Sequence, residues 1–387
     1  MATTHHSDPA QAHREVRALA RELAEGEIAP HAADWNARHH IPRDLLRTMG
    51  ELGLLGVLVP EDLGGAGLDH SALCHVIEEI ARVDAGVSVT IAVHNGLGAG
   101  SLLAAGTEGQ RHRWLPDMAS GASLAAYGLT EPDAGSDTAG LKTAATRRDD
   151  GSFVLQGSKT WVTNGGIAGL FIVFARTDGP GARGVSAFVV EHGEGLEVGP
   201  EIAKMGLHTS STTELRFDKH VLEPDRLLGS RGEGLRIALG TLDGGRITIA
   251  AQAVGIATAA LEVATSYARQ RYAFGGPIAR FQGVQFPLAD VAAKLDAARL
   301  LTYHAAGLRD AGKPHQAAGA KAKLFASAVA VEAANVAVQT LGGYGYSAEL
   351  PAERLYRDAK ITEIYEGTSQ IQRLVIARDL LGDAARG

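Results

Sequence analysis

A block of short β-type runs lies between two long stretches of helical periodicity, and that order restricts the chain to few architectures. From about residue 9 to 123, apolar positions recur at helical spacing between charges, over 10–32, 43–58, 71–83 and 110–118, with a glycine loop at 63–68. From about 124 to 233 the texture changes. Residues 153–155, 161–163, 170–175, 185–190 and 213–217 read as strands, with Asp150-Gly151 and Asn164-Gly165 as turn signals. From about 234, alanine-rich helices return over 235–269, 283–311, 314–340 and 369–381. The expectation is an α+β multidomain protein with domains at 1–123, 124–233 and 234–387, a β domain lodged between two helical ones. No internal repeat of 20–50 residues is present.

Composition narrows the function. Hydrophobic residues are 45% and charged residues 21% of 387, an ordinary globular balance. A net charge of −7 argues against nucleic acid as a partner. The single cysteine, Cys74, excludes an intramolecular disulfide and fits a reducing cytoplasm. No uninterrupted apolar run reaches the roughly 18 residues of a membrane span, so none is expected. The N-terminus lacks the features of a secretory or transit signal, and cytoplasmic localisation is expected. His5 and His6 read as part of a mobile polar end. No metal site is expected: HExxH and ExxH strings are absent. Neither a GxSxG elbow nor a GxGxxG after a strand occurs, so a hydrolase of that kind and a nicotinamide fold lack support.

Five strings carry the chemistry. IYEGTSQIQR at 364–373 sets Glu366 before a glycine and a helix start, with Ser369 and Gln372 at capping-box spacing. Ile364, Tyr365 and Ile371 surround the carboxylate with apolar bulk, which raises a carboxyl pKa if water is excluded. A solvated glutamate at a helix start is the ordinary alternative. YGLTEPDAGSD at 127–137 is either an interdomain turn or a loop whose glycine lets a flat ring or phosphate approach. SKTWVTNGG at 158–166 offers Trp161 as core or as a ring-holding face. RYAFGGPIARFQ at 271–282 puts Arg271 at a helix end, where it either pairs with a phosphate or complements the helix dipole. QTLGGYGY at 339–346 reads as a helix C-cap.

Together, in this order, these strings resemble the acyl-CoA dehydrogenase family of flavoproteins, of the short-, medium- or branched-chain type found in fatty acid or branched-chain amino acid catabolism. The resemblance covers nearly the whole chain. It implies an N-terminal helical domain, a middle β-barrel-like domain and a C-terminal four-helix bundle, assembled as a homotetramer (a dimer of dimers) with one FAD per subunit. Glu366 is similar to the catalytic base. Tyr127, Leu129, Thr130, Gly135, Ser136, Trp161, Thr163, Thr368 and Gln370 resemble flavin contacts. Arg271, Phe274, Gln282, Gln339, Gly342 and Gly343 resemble residues that reach the cofactor of a neighbouring subunit. Ser136, Asp243, Arg246, Gly367 and Arg378 resemble substrate contacts. The implied reaction takes an acyl-CoA thioester to the trans-2-enoyl-CoA: α-proton to Glu366, hydride to flavin N5, electrons to an electron-transferring flavoprotein. An acyl-CoA oxidase or a carrier-protein-thioester dehydrogenase of the same fold is the alternative. Two departures stand out. Asp133 replaces a glycine usual in the family string, and its charge is expected to oppose reduction of a nearby flavin. Gly245, preceding Arg246, occupies a position where some members keep their base, which leaves that role to Glu366.

Overall fold

The computed structural model describes residues 8–385; His5 and His6 lie outside them. The first helix, Pro9–Leu23, starts with the Asp8 carboxylate accepting from Ala10 N and with proline in its first turn. It does not run on to 32. A π turn, Ala24–Ile28, follows it, and Ala32–Arg38 is a separate helix. Pro30, which cannot donate a backbone hydrogen bond, separates the two. The third helix is also shorter than its apolar pattern, Arg43–Glu51. His70–Ala81 and Glu108–Ala119 match the periodicity closely.

One long helical run escapes the sequence reading altogether. Ala85–Ala92, the π segment Val93–Ala99 and Gly100–Ala105 are continuous, and Asp84 caps them through Gly86 N and Val87 N. Almost every side chain from 85 to 102 is buried. A helix enclosed on all sides has no polar face, so it shows no 3.6-residue alternation.

The middle region is an eight-stranded sheet. Its strands are β1 (Ala125–Gly128), β2 (Ala144–Arg147), β3 (Phe153–Thr163), β4 (Leu170–Arg176), β5 (Val185–Glu191), β6 (Leu196–Val198), β7 (Thr212–Leu222) and β8 (Leu227–Leu228). The order is β6-β7-β3-β2-β4-β5-β8, with β1 parallel beside β4. The runs at 153–155 and 161–163 are the two ends of the single strand β3. Side chains alternate across a strand, and β4 shows what that does here. Leu170, Ile172 and Phe174 join the helical core, while Phe171, Val173 and Ala175 join the sheet's own core. The strand is apolar from Leu170 to Ala175 because both faces are covered. This is how the sheet lodges against the helices.

The C-terminal region is built on Gly234–Gln270, Gln282–Asp310, Gln316–Leu341, Ala352–Ile361 and Ser369–Leu381. The first of these helices is 37 residues, about 55 Å long at ~1.5 Å per residue. Ala352–Ile361 also escaped the sequence reading, although Ala352, Leu355 and Ala359 are buried at helical spacing. Between the first two helices, Tyr272–Ala273 and Gly276–Pro277 pair as a small hairpin. Phe274 and Gly275 at its turn both have positive φ, +53° and +84°, as a primed hairpin turn requires. The expectation that no stretch is apolar enough for a membrane span does not hold on length and composition. Ala85–Ala105, Gly234–Gln270 and Gln316–Leu341 each qualify, because alanine and glycine dilute their few charges. In the first two, 83% and 78% of the apolar window is buried inside the fold.

Candidate active site

The segment between Ala352–Ile361 and Ser369–Leu381 is irregular, and Glu366 lies within it. The cap of the last helix is Thr368, whose Oγ1 accepts from Ile371 N at 3.3 Å. Ser369 is therefore the first helical residue, and the anticipated Ser369–Gln372 capping box does not form. Gln372 turns back instead, its Nε2 donating to Gly367 O at 2.7 Å. Lys323 Nζ donates to the same oxygen, also at 2.7 Å. These two bonds hold a left-handed pair, Glu366 at φ +51° and Gly367 at φ +91°. For a side-chain-bearing residue that conformation costs roughly 1–2 kcal/mol.

The left-handed turn aims the carboxylate inward. Glu366 as a residue is half-buried, but its Oε2 is buried and has no hydrogen-bond partner among the described residues. It fills a hollow over Gly245: a Cβ there would stand 1.8 Å from Oε2 and 3.3 Å from Leu97 Cδ2. Gly245 thus supplies the space that the Glu366 carboxylate occupies. Burial pushes the Glu366 carboxyl up to about 7, against the opposing pull of Lys323 and Arg246. Behind it, the Tyr365 hydroxyl donates to Gln252 Oε1. Gln252 Nε2 in turn donates to Ala85 O at 2.7 Å and Ser88 Oγ at 3.1 Å. Next to Gly245 in the chain, the buried Arg246 guanidinium pairs with Asp243 and leaves its Nε without a partner. Burial raises the Asp243 carboxyl, with Arg246, His315 and Arg309 opposing.

The loop after β1 is anchored from below. Lys159, fully buried, donates to Leu129 O at 3.2 Å and to Glu131 Oε1 at 2.7 Å. Glu131 also accepts from Lys142 N and Thr143 N at 2.6 and 2.9 Å. Thr130 O accepts from Thr160 N. Above that anchor, Gly135 and Ser136 are exposed, Thr130 is half-buried and Leu129 is buried. Tyr127 is turned away: its hydroxyl meets Thr241 Oγ1 at 3.1 Å on the 234–270 helix. Trp161 is not core. It is 59% exposed with φ +58°, within a register shift of β3 against β7. A bulky residue with positive φ is a strained outlier of the kind found at functional sites. Thr163 follows it, half-buried. The Asp133 side chain is 74% exposed and bonds Lys142 Nζ at 3.0 Å. The charge is thus set against Lys142 at the surface, which matches a side chain facing solvent.

The remaining candidates fall in other places. Arg271 lines one cleft with Tyr267, Gly342, Gly343 and Tyr344. Phe274 is 89% exposed at the hairpin tip, and Gln282 and Gln339 are exposed. Thr368 and Gln370 line a different cleft, with Lys321, Lys360 and Arg373. Gly367 adjoins Glu366, whereas Arg378 is exposed in the last turn of the final helix, about 13 Å along that helix from its start. Among the described residues, no group of three or more His, Cys, Asp or Glu could hold a metal ion. The sequence reading missed Lys323, Gln252, Leu97 and the Lys159–Glu131 pair. Lys323, Gln252 and Leu97 lie outside the five strings; Glu131 and Lys159 lie within two of them, and only the fold pairs them.

The helical, β and helical regions are those of an acyl-CoA dehydrogenase fold. Family models match them in turn: the acyl-CoA dehydrogenase N-terminal domain over residues 10–122, the middle domain over 126–220 and the C-terminal domain over 232–381. The chain belongs to the acyl-CoA dehydrogenase family and is an oxidoreductase of that class. It is 48% identical to an acyl-CoA dehydrogenase of Bacillus subtilis over 95% of this chain and 97% of that one. It is 47% identical to the mitochondrial short-chain specific acyl-CoA dehydrogenase of Bos taurus over 96% and 90%. Among solved structures, butyryl-CoA dehydrogenase from Megasphaera elsdenii superposes with a TM-score of 0.94 at 42% identity, covering 98% and 100%. A structure reported under the electron transferring flavoprotein of Acidaminococcus fermentans gives 0.95 at 44%, covering 99% and 100%. A glutaryl-CoA dehydrogenase from Mycobacterium smegmatis in complex with FADH2 gives 0.92 at 31%, covering 97% and 96%.

Proposed function

We propose that this enzyme oxidises a short-chain acyl-CoA to its trans-2-enoyl-CoA, with Glu366 as the α-proton base, FAD as the bound oxidant and an electron-transferring flavoprotein as the recipient of the electrons. The base assignment is carried by one observation: Glu366 Oε2 is buried, unpartnered and held over the hollow at Gly245. A carboxylate with nothing to bond to is a poor structural element and a competent proton acceptor. Its raised pKa, about 7, brings it near the working range of a general base at neutral pH. The Glu366 backbone N–H has no acceptor among the described residues. It is the donor available to a thioester oxygen, where enolate charge develops as the α-proton leaves.

The residues fit FAD. Gly135 has no atom within 4 Å of where a Cβ would stand, so a ring can approach the loop closely. Trp161 presents an exposed aromatic face beside it, and Thr130, Ser136 and Thr163 add hydroxyls. Arg271 stands at a cleft edged by Gly342 and Gly343, a donor set for the pyrophosphate of a neighbouring subunit's FAD. Phe274, Gln282 and Gln339 would extend that set, and Thr368 and Gln370 would meet the flavin from the base segment. FAD, when bound, supplies the hydride acceptor. The chain's part is to hold the base and the carbonyl donor on one rigid turn and to keep water from Oε2.

The short-chain assignment draws on the bovine and Megasphaera relatives and on the Tyr365–Gln252 bond. Gln252 lies seven residues beyond Gly245 on the same helix, two turns or about 10 Å. On this reading an acyl chain would run along that helix from Gly245, and the bond would close its path after a few carbons. Asp243 and Arg246, which flank Gly245 at the near end of that span, remain for the polar part of the substrate, with Ser136 at the loop. The flavoprotein acceptor draws on the Acidaminococcus structure. We also infer a homotetramer working in the cytoplasm. Large apolar side chains exposed on the C-terminal region, among them Leu300 at 73%, Phe286 at 59% and Tyr346 at 88%, call for cover by other subunits. Anaerobic flavin bleaching by straight and branched acyl-CoAs of increasing length tests the whole reading. The fastest bleaching is expected with four to about six carbons, on the two-turn span. No bleaching by any acyl-CoA would overturn it.

A further inference from the structure

Resting on the reading of Glu366 as the base, we infer that Lys323 is a positioning residue for that base: its ammonium fixes the Glu366–Gly367 turn and holds a compensating positive charge beside a carboxylate that has no other partner. Lys323 has no exposed surface, and its buried neighbours along the helix are Gly319, Ala320, Ala322, Ala326 and Ser327. Burying an ammonium is costly unless it is used. Two residues earlier, Lys321 faces solvent near Asp379. Among the described residues no carboxylate stands within ion-pair distance of Lys323, and its one hydrogen bond runs to Gly367 O.

That bond alone does not explain a lysine. Gln372 Nε2 already donates to the same oxygen at the same distance, so the carbonyl is satisfied by a neutral side chain. What Lys323 adds is charge. The groups that act on it and on Glu366 come from every packed element. The helix Gly234–Gln270 contributes Arg246, itself paired to Asp243. The base segment contributes Glu363 and the Tyr365 phenol, and β1 contributes the Tyr127 phenol; burial keeps both phenols neutral. Of the two cations that favour ionised Glu366, Lys323 acts more strongly than Arg246. Burial in turn lowers Lys323 to about 8, with Glu366 pulling the other way. Because the two charges do not touch, Glu366 stays free to take a proton, which a direct salt bridge would prevent.

The test is the pH dependence of single-turnover flavin reduction by acyl-CoA in the holoenzyme of wild type, Lys323→Gln, Lys323→Arg and Gln372→Met. Glutamine keeps a donor for Gly367 O and removes the charge. Without the cation the carboxyl holds its proton to higher pH, so the acid limb of Lys323→Gln should move up by about one pH unit. At pH 6 the rate should fall about tenfold, and above pH 9 it should approach wild type. Lys323→Arg and Gln372→Met keep the charge and should keep the wild-type limb. A Lys323→Gln limb that coincides with wild type, or a loss equal at all pH values, overturns the inference. So does an upward shift in Gln372→Met, which would assign the effect to turn geometry. Should Lys323→Gln fail to fold, Lys323→Arg and Gln372→Met still decide, since a shifted limb in either contradicts a role for charge. Glu366→Gln keeps the two readings apart. If it is inactive while Lys323→Gln titrates like wild type, only the Lys323 inference fails; if it is active, the base assignment fails first.

Discussion

Two glutamates in this molecule, buried Glu131 and half-buried Glu366 with its buried Oε2, each have a buried lysine, and they end up with opposite properties. Glu131, beneath the loop after β1, meets Lys159 directly at 2.7 Å and accepts two backbone N–H bonds besides. Burial alone would raise its pKa; the Lys159 charge and these bonds win, and it is lowered. Glu366 has its lysine one carbonyl away and no bond to Oε2. There burial wins, and the carboxyl rises to about 7. The residue types are the same; the difference is contact. A contacted pair anchors a loop, and a separated pair leaves a carboxylate able to exchange a proton.

The sharpest way to break that contrast is to remove each carboxylate in turn. Glu366→Gln should fold and retain FAD while losing two to four decades of dehydrogenation, the usual worth of a general base, read by anaerobic flavin bleaching. Glu131→Ala should do the reverse. It leaves the Lys159 ammonium buried and unpaired, which costs about 3–5 kcal/mol, read as a fall in denaturation midpoint and FAD retention. Stable, FAD-replete Glu131→Ala would show that the anchor is dispensable. Gly245→Ala lies between the two. Its methyl would overlap Oε2, so the turn must shift, and a loss of one to two decades in rate with normal stability is expected, on the scale of a displaced catalytic group.

How much of this was legible beforehand follows from which side chains announce themselves. Glu366 stood out because a glycine, a helix start and apolar neighbours share ten residues. The three-region order was legible because strand and helix periods differ. The helical run 85–105 was not, since burial on all sides removes the alternation that marks a helix. Nor was Lys323: Lys321 and Lys323 are the same residue two positions apart, and only packing decides which faces the base. Trp161 could be placed on a strand, but its positive φ belongs to a register shift that strand propensity does not encode. The Thr368 cap was mistaken for Ser369 because both are hydroxyl residues with an amide nearby, and cap position depends on which residue leaves the helical conformation.

The same pair of glutamates makes opposite statements about pH. Glu366 is raised from 4.5 to about 7, so its folded form binds the extra proton. The stability this gives is full below pH 4.5 and is lost as pH rises to about 7. Glu131 is lowered from 4.5, so its contribution is present above 4.5 and is lost as pH falls below that value. Urea midpoints from pH 4 to 8 should therefore show Glu366→Gln gaining on wild type with rising pH, most of the change falling between 4.5 and 7. Glu131→Gln should trail wild type above 4.5 and close part of the gap below it. Parallel curves for both variants would remove the electrostatic distinction between the two sites.

The smallest effect is expected at Asp133, which extends the comparison to a carboxylate with no burial at all. It lies on the loop that Glu131 anchors, two residues away, yet it is 74% exposed and paired with Lys142 at 3.0 Å. An exposed pair of this kind is worth about 0–1 kcal/mol, and at physiological salt its field decays over about 8 Å. The Asp133→Gly change should accordingly leave the flavin reduction potential where it was, by dye equilibration at low and high salt. Stability should move by no more than about 0.5 kcal/mol, the range of ordinary surface substitutions. A potential that rises in Asp133→Gly at low salt, and less so at high salt, would mean that the carboxylate acts on the ring through water. Sequence position would then count for more than contact, and the distinction between Glu131 and Glu366 would need another cause.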